Sequence, residues 1–308
     1  MSQKINQQMS LTDIVILLIL SGLWGGSFFF IEILVNHLPP LTIVTFRVGL
    51  AAIALWLIVL ALKLPLPKTR QQWMALLIVG LFNNALPFSL ITWGQTEISS
   101  GLASILNATT PFFTVLVAGA LLVDERITTF KLFGVLIGLL GTIVLIGPNA
   151  LKGVTGSLLG QLAVMGAGLS YAVAGVFSRR FKQWDISPMI VATGQVTMAT
   201  LILLPLALWI DRPWVNFNLP LEAIGAIAGL SMLSTVIAYT LYFRLIASAG
   251  ATNAALVTFL VPISAILLGV IILGENFTLL QAFGMGLIGL GLLTMDGRLF
   301  RRVRPSPN

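Results

Sequence analysis

Residues 101–148 read GLASILNATTPFFTVLVAGALLVDERITTFKLFGVLIGLLGTIVLIGP, an apolar run broken by Pro111, then Asp124-Glu125-Arg126, then a glycine-spaced apolar run. The plan returns about 150 residues later in AALVTFLVPISAILLGVIILGENFTLLQAFGMGLIGLGLL, with Pro262, a Gly274-Glu275 turn and a second glycine-spaced run. At that offset Leu106 aligns with Leu256, Gly119 with Gly269, Glu125 with Glu275, Thr128 with Thr278, Phe133-Gly134 with Phe283-Gly284, and Gly141 with Gly291. The prolines slip by one residue, so this is a diverged internal repeat, and a repeat of this size governs the architecture.

Of the 308 residues 57% are apolar and only 9% charged, whereas a soluble domain carries about a quarter charged residues. The composition is that of an all-α membrane protein. With no cysteine, disulfides, thiolate catalysis and cysteine metal sites are excluded. The net charge of +7 invites a nucleic-acid reading, but the basic residues fall into place as topology signals instead. The apolar run from Ile14 to Val35 is too long for a signal-peptide core and reads as a retained first helix.

A spanning helix needs roughly 20 apolar residues. Polar and Pro/Gly punctuation gives ten expected spans, near 13–35, 41–62, 73–93, 99–122, 130–147, 157–177, 187–209, 221–243, 251–273 and 278–296. With the N-terminus inside, every one of the 17 Lys and Arg except Arg47, Lys152 and Arg212 falls on a cytoplasmic connection, which places both termini in the cytoplasm. Five spans per repeat is odd, so the second copy enters the membrane inverted, with Glu125 inside and Glu275 outside. The expected domains are residues 13–147 and 157–296, joined by a linker at 149–156. Inverted repeats of this kind build secondary transporters whose site lies near the midplane between the halves.

Trp24-Gly25-Gly26-Ser27-Phe28, Arg47 early in the second span, the segment from Pro111 to Asp124-Glu125-Arg126, and Gly274-Glu275 with Phe283-Gly284 resemble the drug/metabolite transporter superfamily, EamA type. The resemblance covers residues 13–296. It implies a ten-helix transporter of the bacterial inner membrane that exports or exchanges amino acids or other small metabolites. Where the family often has a basic residue late in the first span, this sequence has Glu32.

Polar and aromatic groups at membrane depth each need a partner or a wet cavity. Trp24 lies mid-span and its repeat partner is Tyr171; both rings either pack between helices or line a central cavity. The third span carries Asn83 and Asn84 with Pro87 and Ser89, and the eighth answers with Ser231, Ser234, Thr235 and Tyr239. Adjacent asparagines point about 100° apart, so at most one faces a pore squarely. Asn107, Thr109 and Thr110 precede Pro111, and Thr258 precedes Pro262, where each proline frees a carbonyl and favours a kink. The expected substrate contacts are therefore Trp24, Asn83, Asn84, Asn107, Tyr171, Ser234 and Tyr239.

Arg47 and Glu32 lie near the outer ends of the second and first spans, across a short turn containing His37. Their depths match, so an ion pair or a snorkelling Arg47 is expected, with an outer gate, a coupling site or a carboxylate anchor as the functional alternative. Gly134-x3-Gly138-x2-Gly141 and Gly284-x-Gly286-x2-Gly289-x-Gly291 allow close backbone approach. They are expected to serve packing, and a homodimer is one place for it.

An intramembrane enzyme lacks parts: the single histidine sits in an outer turn, and there is no HExxH pair and no carboxylate pair at mid-membrane. Gly25-Gly26-Ser27 reads as helix packing. No nucleotide-binding loop is present, so no ATP drive, cofactor, metal or nucleic-acid partner is expected. A small, neutral or zwitterionic metabolite is the expected substrate and membrane lipid the surroundings; a flippase for a lipid or lipid-linked molecule is the alternative on the same fold. Transport is expected to be either uncoupled or coupled through Glu32.

Overall fold

The computed structural model describes residues 9–122, 128–146, 156–214, 219–254 and 256–296. Asp124-Glu125-Arg126, Lys152 with most of the linker, and the basic C-terminal residues lie outside the described residues. Among those described, the regular structure is helical throughout.

The helices are α1 (Leu11–Leu34), α2 (Pro40–Ala61), α3 (Arg70–Gly94), α4 (Ser100–Leu121), α5 (Thr129–Ile146), α6 (Gly156–Gln183), α7 (Pro188–Asp211), α8 (Leu221–Ala249), α9 (Val257–Ile272) and α10 (Leu279–Asp296). Polar residues start several of them. Ser10 and Asp13 form a capping box on α1, and Thr69 and Gln72 one on α3. Carboxylates from elsewhere in the chain cover two further N-termini: Asp211 accepts from Thr42 N (2.7 Å) on α2, and Glu275 accepts from Ser100 N (2.8 Å) and Gly101 N (3.0 Å) on α4. Glu275 thus ties the connection after α9 to the start of α4.

Among the described residues, seven helices are long and apolar enough to cross a membrane. α5 and α10, at 18 residues each, and α9, at 16, are shorter. The ninth span was expected from residue 251, but a one-turn helix, Ala251–Ala254, precedes α9. Large apolar side chains turn outward, as with Ile53 (62% exposed), Leu57 (65%) and Ile143 (66%). Such a surface suits lipid, which is as apolar as the side chains themselves.

The packing pairs are α1 with α9, α4 with α6, α3 with α6 and α7, α8 with α1 and α2, α2 with α7, and α5 with α10. The glycine runs face one another inside this last pair. A Cβ on Gly141 would stand 2.8 Å from Ile288 N, and one on Gly291 2.6 Å from the Gly134 carbonyl oxygen. Both positions require glycine, so the runs hold α5 against α10 within one chain.

Candidate functional site

A cavity of about 480 Å³ lies between the two halves of the chain. It is lined by α1 (Trp24, Ser27), α2 (Arg47), α3 (Asn83, Phe88), α4 (Asn107), α6 (Tyr171), α7 (Gln195), α8 (Tyr239, Tyr242) and α9 (Thr258, Pro262). All three tyrosines of the chain reach it. Arg47 is the one charged residue among its described lining residues.

Irregular helix supplies the wall. Pro87 has no N–H to give the carbonyl four residues back, and the turn before it widens to a π-helix over Leu81–Ala85, closed by Leu86 N–H on the Leu81 carbonyl. α8 is π-helical over Gly229–Ile237, where Thr235 Oγ1 donates to the Leu230 carbonyl at 3.0 Å. These two π segments lie about 150 residues apart, at repeat-related places. α4 breaks at Ala108–Thr109, just ahead of Pro111, and Asn107 ends its first half with the side chain on the cavity. α9 runs unbroken through Pro262.

The cavity brings together Trp24, Arg47, Asn83, Asn107, Tyr171 and Tyr239 of the residues singled out from the sequence. Trp24 packs against Tyr242 with ring centres 5.1 Å apart and the planes tilted by 49°. Asn83 Nδ2 donates to Gln195 Oε1 (3.0 Å), while Asn84 points behind the wall and donates through Nδ2 to Tyr239 Oη (3.0 Å). Asn84 and Ser234 are fully buried in the π segments and do not line the cavity. Six buried side-chain oxygens among the described residues have no hydrogen-bond partner, and those of Asn84 (Oδ1), Asn107 (Oδ1) and Ser234 (Oγ) are among them.

The expected ion pair between Glu32 and Arg47 does not form. Matching depth was assumed to mean adjacency, but α1 and α2 scarcely touch, α2 packing on α7 and α8 instead. Arg47 therefore faces inward and is only 6% exposed. Its Nε donates to Thr235 Oγ1 (3.2 Å) and its guanidinium carbon sits 3.6 Å from the Phe88 ring centre. Glu32 lies outside the cavity and accepts from Gln95 Nε2 (3.2 Å), which also donates to the Phe28 carbonyl (2.9 Å). His37 pairs with Glu222 at 2.9 Å.

Ser27, read as packing, lines the cavity, whereas Gly25 does pack, against Ser264 and Ala265 of α9. Gln195, Phe88 and Tyr242 were missed. Gln195 carried a usable signal, an amide in the middle of an apolar span. Among the described residues no cluster of His, Asp or Glu could hold a metal ion.

Residues 12–147 and 158–295 each match the EamA-like transporter family, together covering most of the chain. The chain belongs to this family. It is a membrane transporter of the drug/metabolite transporter superfamily. Its relatives include the "Uncharacterized transporter YoaV" of Bacillus subtilis, 26% identical over 91% of this chain and 95% of that protein. Another is a "Probable amino-acid metabolite efflux pump" of Escherichia coli, 25% identical over 92% and 94%. A solved crystal structure, 19% identical, superposes with a TM-score of 0.67 over 95% of this chain and 99% of its own, which shows the shared fold.

Proposed function

We propose that this EamA-type chain is a secondary transporter of the bacterial inner membrane that exports or exchanges amino acids or similar small metabolites. Its ten helices would form two inverted five-helix repeats, with both termini cytoplasmic and alternating access to the central cavity. The packing supports two-fold pairing: α2 meets its counterpart α7, α5 meets α10, and α1 on α9 mirrors α6 on α4. The names of the efflux-pump relatives in Escherichia coli and Salmonella typhimurium support the substrate class.

The observation that carries the reading is the cavity itself. Trp24 and Tyr171, from repeat-related places, face it together with amides, hydroxyls and one cation. That lining suits a small polar molecule with an apolar portion. Nothing among the described residues or in the names of these relatives points to a lipid substrate.

The test is uptake and efflux of amino acids and small metabolites in proteoliposomes, with and without a pH gradient, for wild type and Trp24→Ala. Wild type is expected to move one class of substrate and Trp24→Ala to lose most of that movement. Silence of wild type across the panel would sink the reading. Glu32→Gln in the same assay decides coupling: unchanged transport and pH dependence would leave Glu32 as a polar partner of Gln95 alone.

A further inference from the structure

The cavity holds a cation and no anion. Arg47 is only 6% exposed, and no Asp or Glu among the described residues pairs with it. A snorkelling arginine would carry its head to the interface; this one is held inward by Phe88 and Thr235. The Thr235 bond uses one of five N–H donors, and the others have no hydrogen-bond partner among the described residues. An aromatic face and a hydroxyl stabilise a guanidinium without neutralising it, and a buried unpaired charge is costly where solvation is poor. The planar fork matches the two oxygens of a carboxylate.

We infer that Arg47 anchors a substrate carboxylate, so the cavity takes amino acids through their free carboxylate and rejects their esters and decarboxylated amines. This rests on the transporter reading of the cavity and names its substrate class. It also gives Arg47 its missing counter-charge when substrate is bound, in place of the ion pair with Glu32 that does not form.

The experiment titrates the full-length protein in detergent with the twenty amino acids, reading binding from the shift in unfolding midpoint. Those that bind are compared with their methyl esters and their decarboxylated amines. Wild type is expected to bind the free acid about tenfold or more tightly than ester or amine. Arg47→Gln should reduce that preference to within about twofold, and Arg47→Lys, which keeps the charge and loses the fork, should keep part of it.

Equal binding of acid and ester, a preference that survives Arg47→Gln, or no binding by any amino acid overturns the inference. If Arg47→Gln does not fold, the wild-type acid, ester and amine series with Arg47→Lys decides the matter. Counterflow in proteoliposomes separates the two readings. Transport without acid preference removes this inference and leaves the transporter, while acid-selective binding without counterflow does the reverse.

Discussion

Asn84 and Ser234 occupy repeat-related places in the two π segments, both fully buried, yet different amounts depend on each. Asn84 donates to Tyr239 Oη, and its Oδ1 has no partner. Tyr239→Phe would leave the whole amide unsatisfied. Hydrogen bonds between membrane helices average about 0.6 kcal/mol, but an orphaned buried group costs roughly 1–3 kcal/mol. Tyr239→Phe should therefore destabilise by about 1 kcal/mol or more. The Ser234 hydroxyl has no partner to lose, so Ser234→Ala should be neutral or slightly stabilising. Unfolding midpoints of both variants check this, and the reverse order would mean that Ser234 holds a partner and Asn84 does not need Tyr239. Mid-membrane polar residues were legible in the sequence as a set. Which of them face the cavity was not, because one residue turns about 100° on a helix and the π segments shift the phase again.

Pro87 follows the π segment of α3, but the sequence of α8 carries no proline to announce its longer π segment. Glycine spacing announced close packing of α5 and α10 without naming the partner, since a small-residue face fits a neighbour in the same chain or in a second copy equally well. The structure separates two classes of glycine on α10. A Cβ at Gly291 would stand 2.6 Å from the Gly134 carbonyl oxygen and 2.8 Å from Gly138 N, both backbone atoms with little freedom to move. A Cβ at Gly286 would meet nothing within 4 Å. Gly291→Ile should then cost about 3 kcal/mol or more through overpacking. Gly286→Ala should be neutral, or stabilise by up to about 1 kcal/mol through helix propensity. Thermal unfolding of the two variants in detergent tests the pair, and equal effects would show that α5 and α10 do not depend on close approach at Gly291.

At the scale of the whole molecule the sequence spoke through charge and repetition, two signals that do not depend on local packing. They pointed to a helical membrane protein built on a repeat, and they could not yield lateral neighbours. The mistaken pairing of Glu32 with Arg47 has that origin, because depth along a helix is a sequence property while the order of helices around a cavity is set by packing. The proposed inversion of the halves makes a direct prediction, and a chain with no cysteine is already the background for testing it. Lys68, Asp185, Arg212 and Asn276 all lie on exposed connections. In an inverted pair, Lys68 after α2 and Arg212 after its counterpart α7 must lie on opposite faces. With a membrane-impermeant maleimide on spheroplasts, Arg212→Cys and Asn276→Cys should label directly, and Lys68→Cys and Asp185→Cys only after permeabilisation. Labelling of residues 68 and 212 from the same side would require an even number of crossings between them. The five helices from α3 to α7 could not then all span, and the two halves would be related as parallel copies, with Trp24 and Tyr171 no longer facing the cavity from opposite orientations.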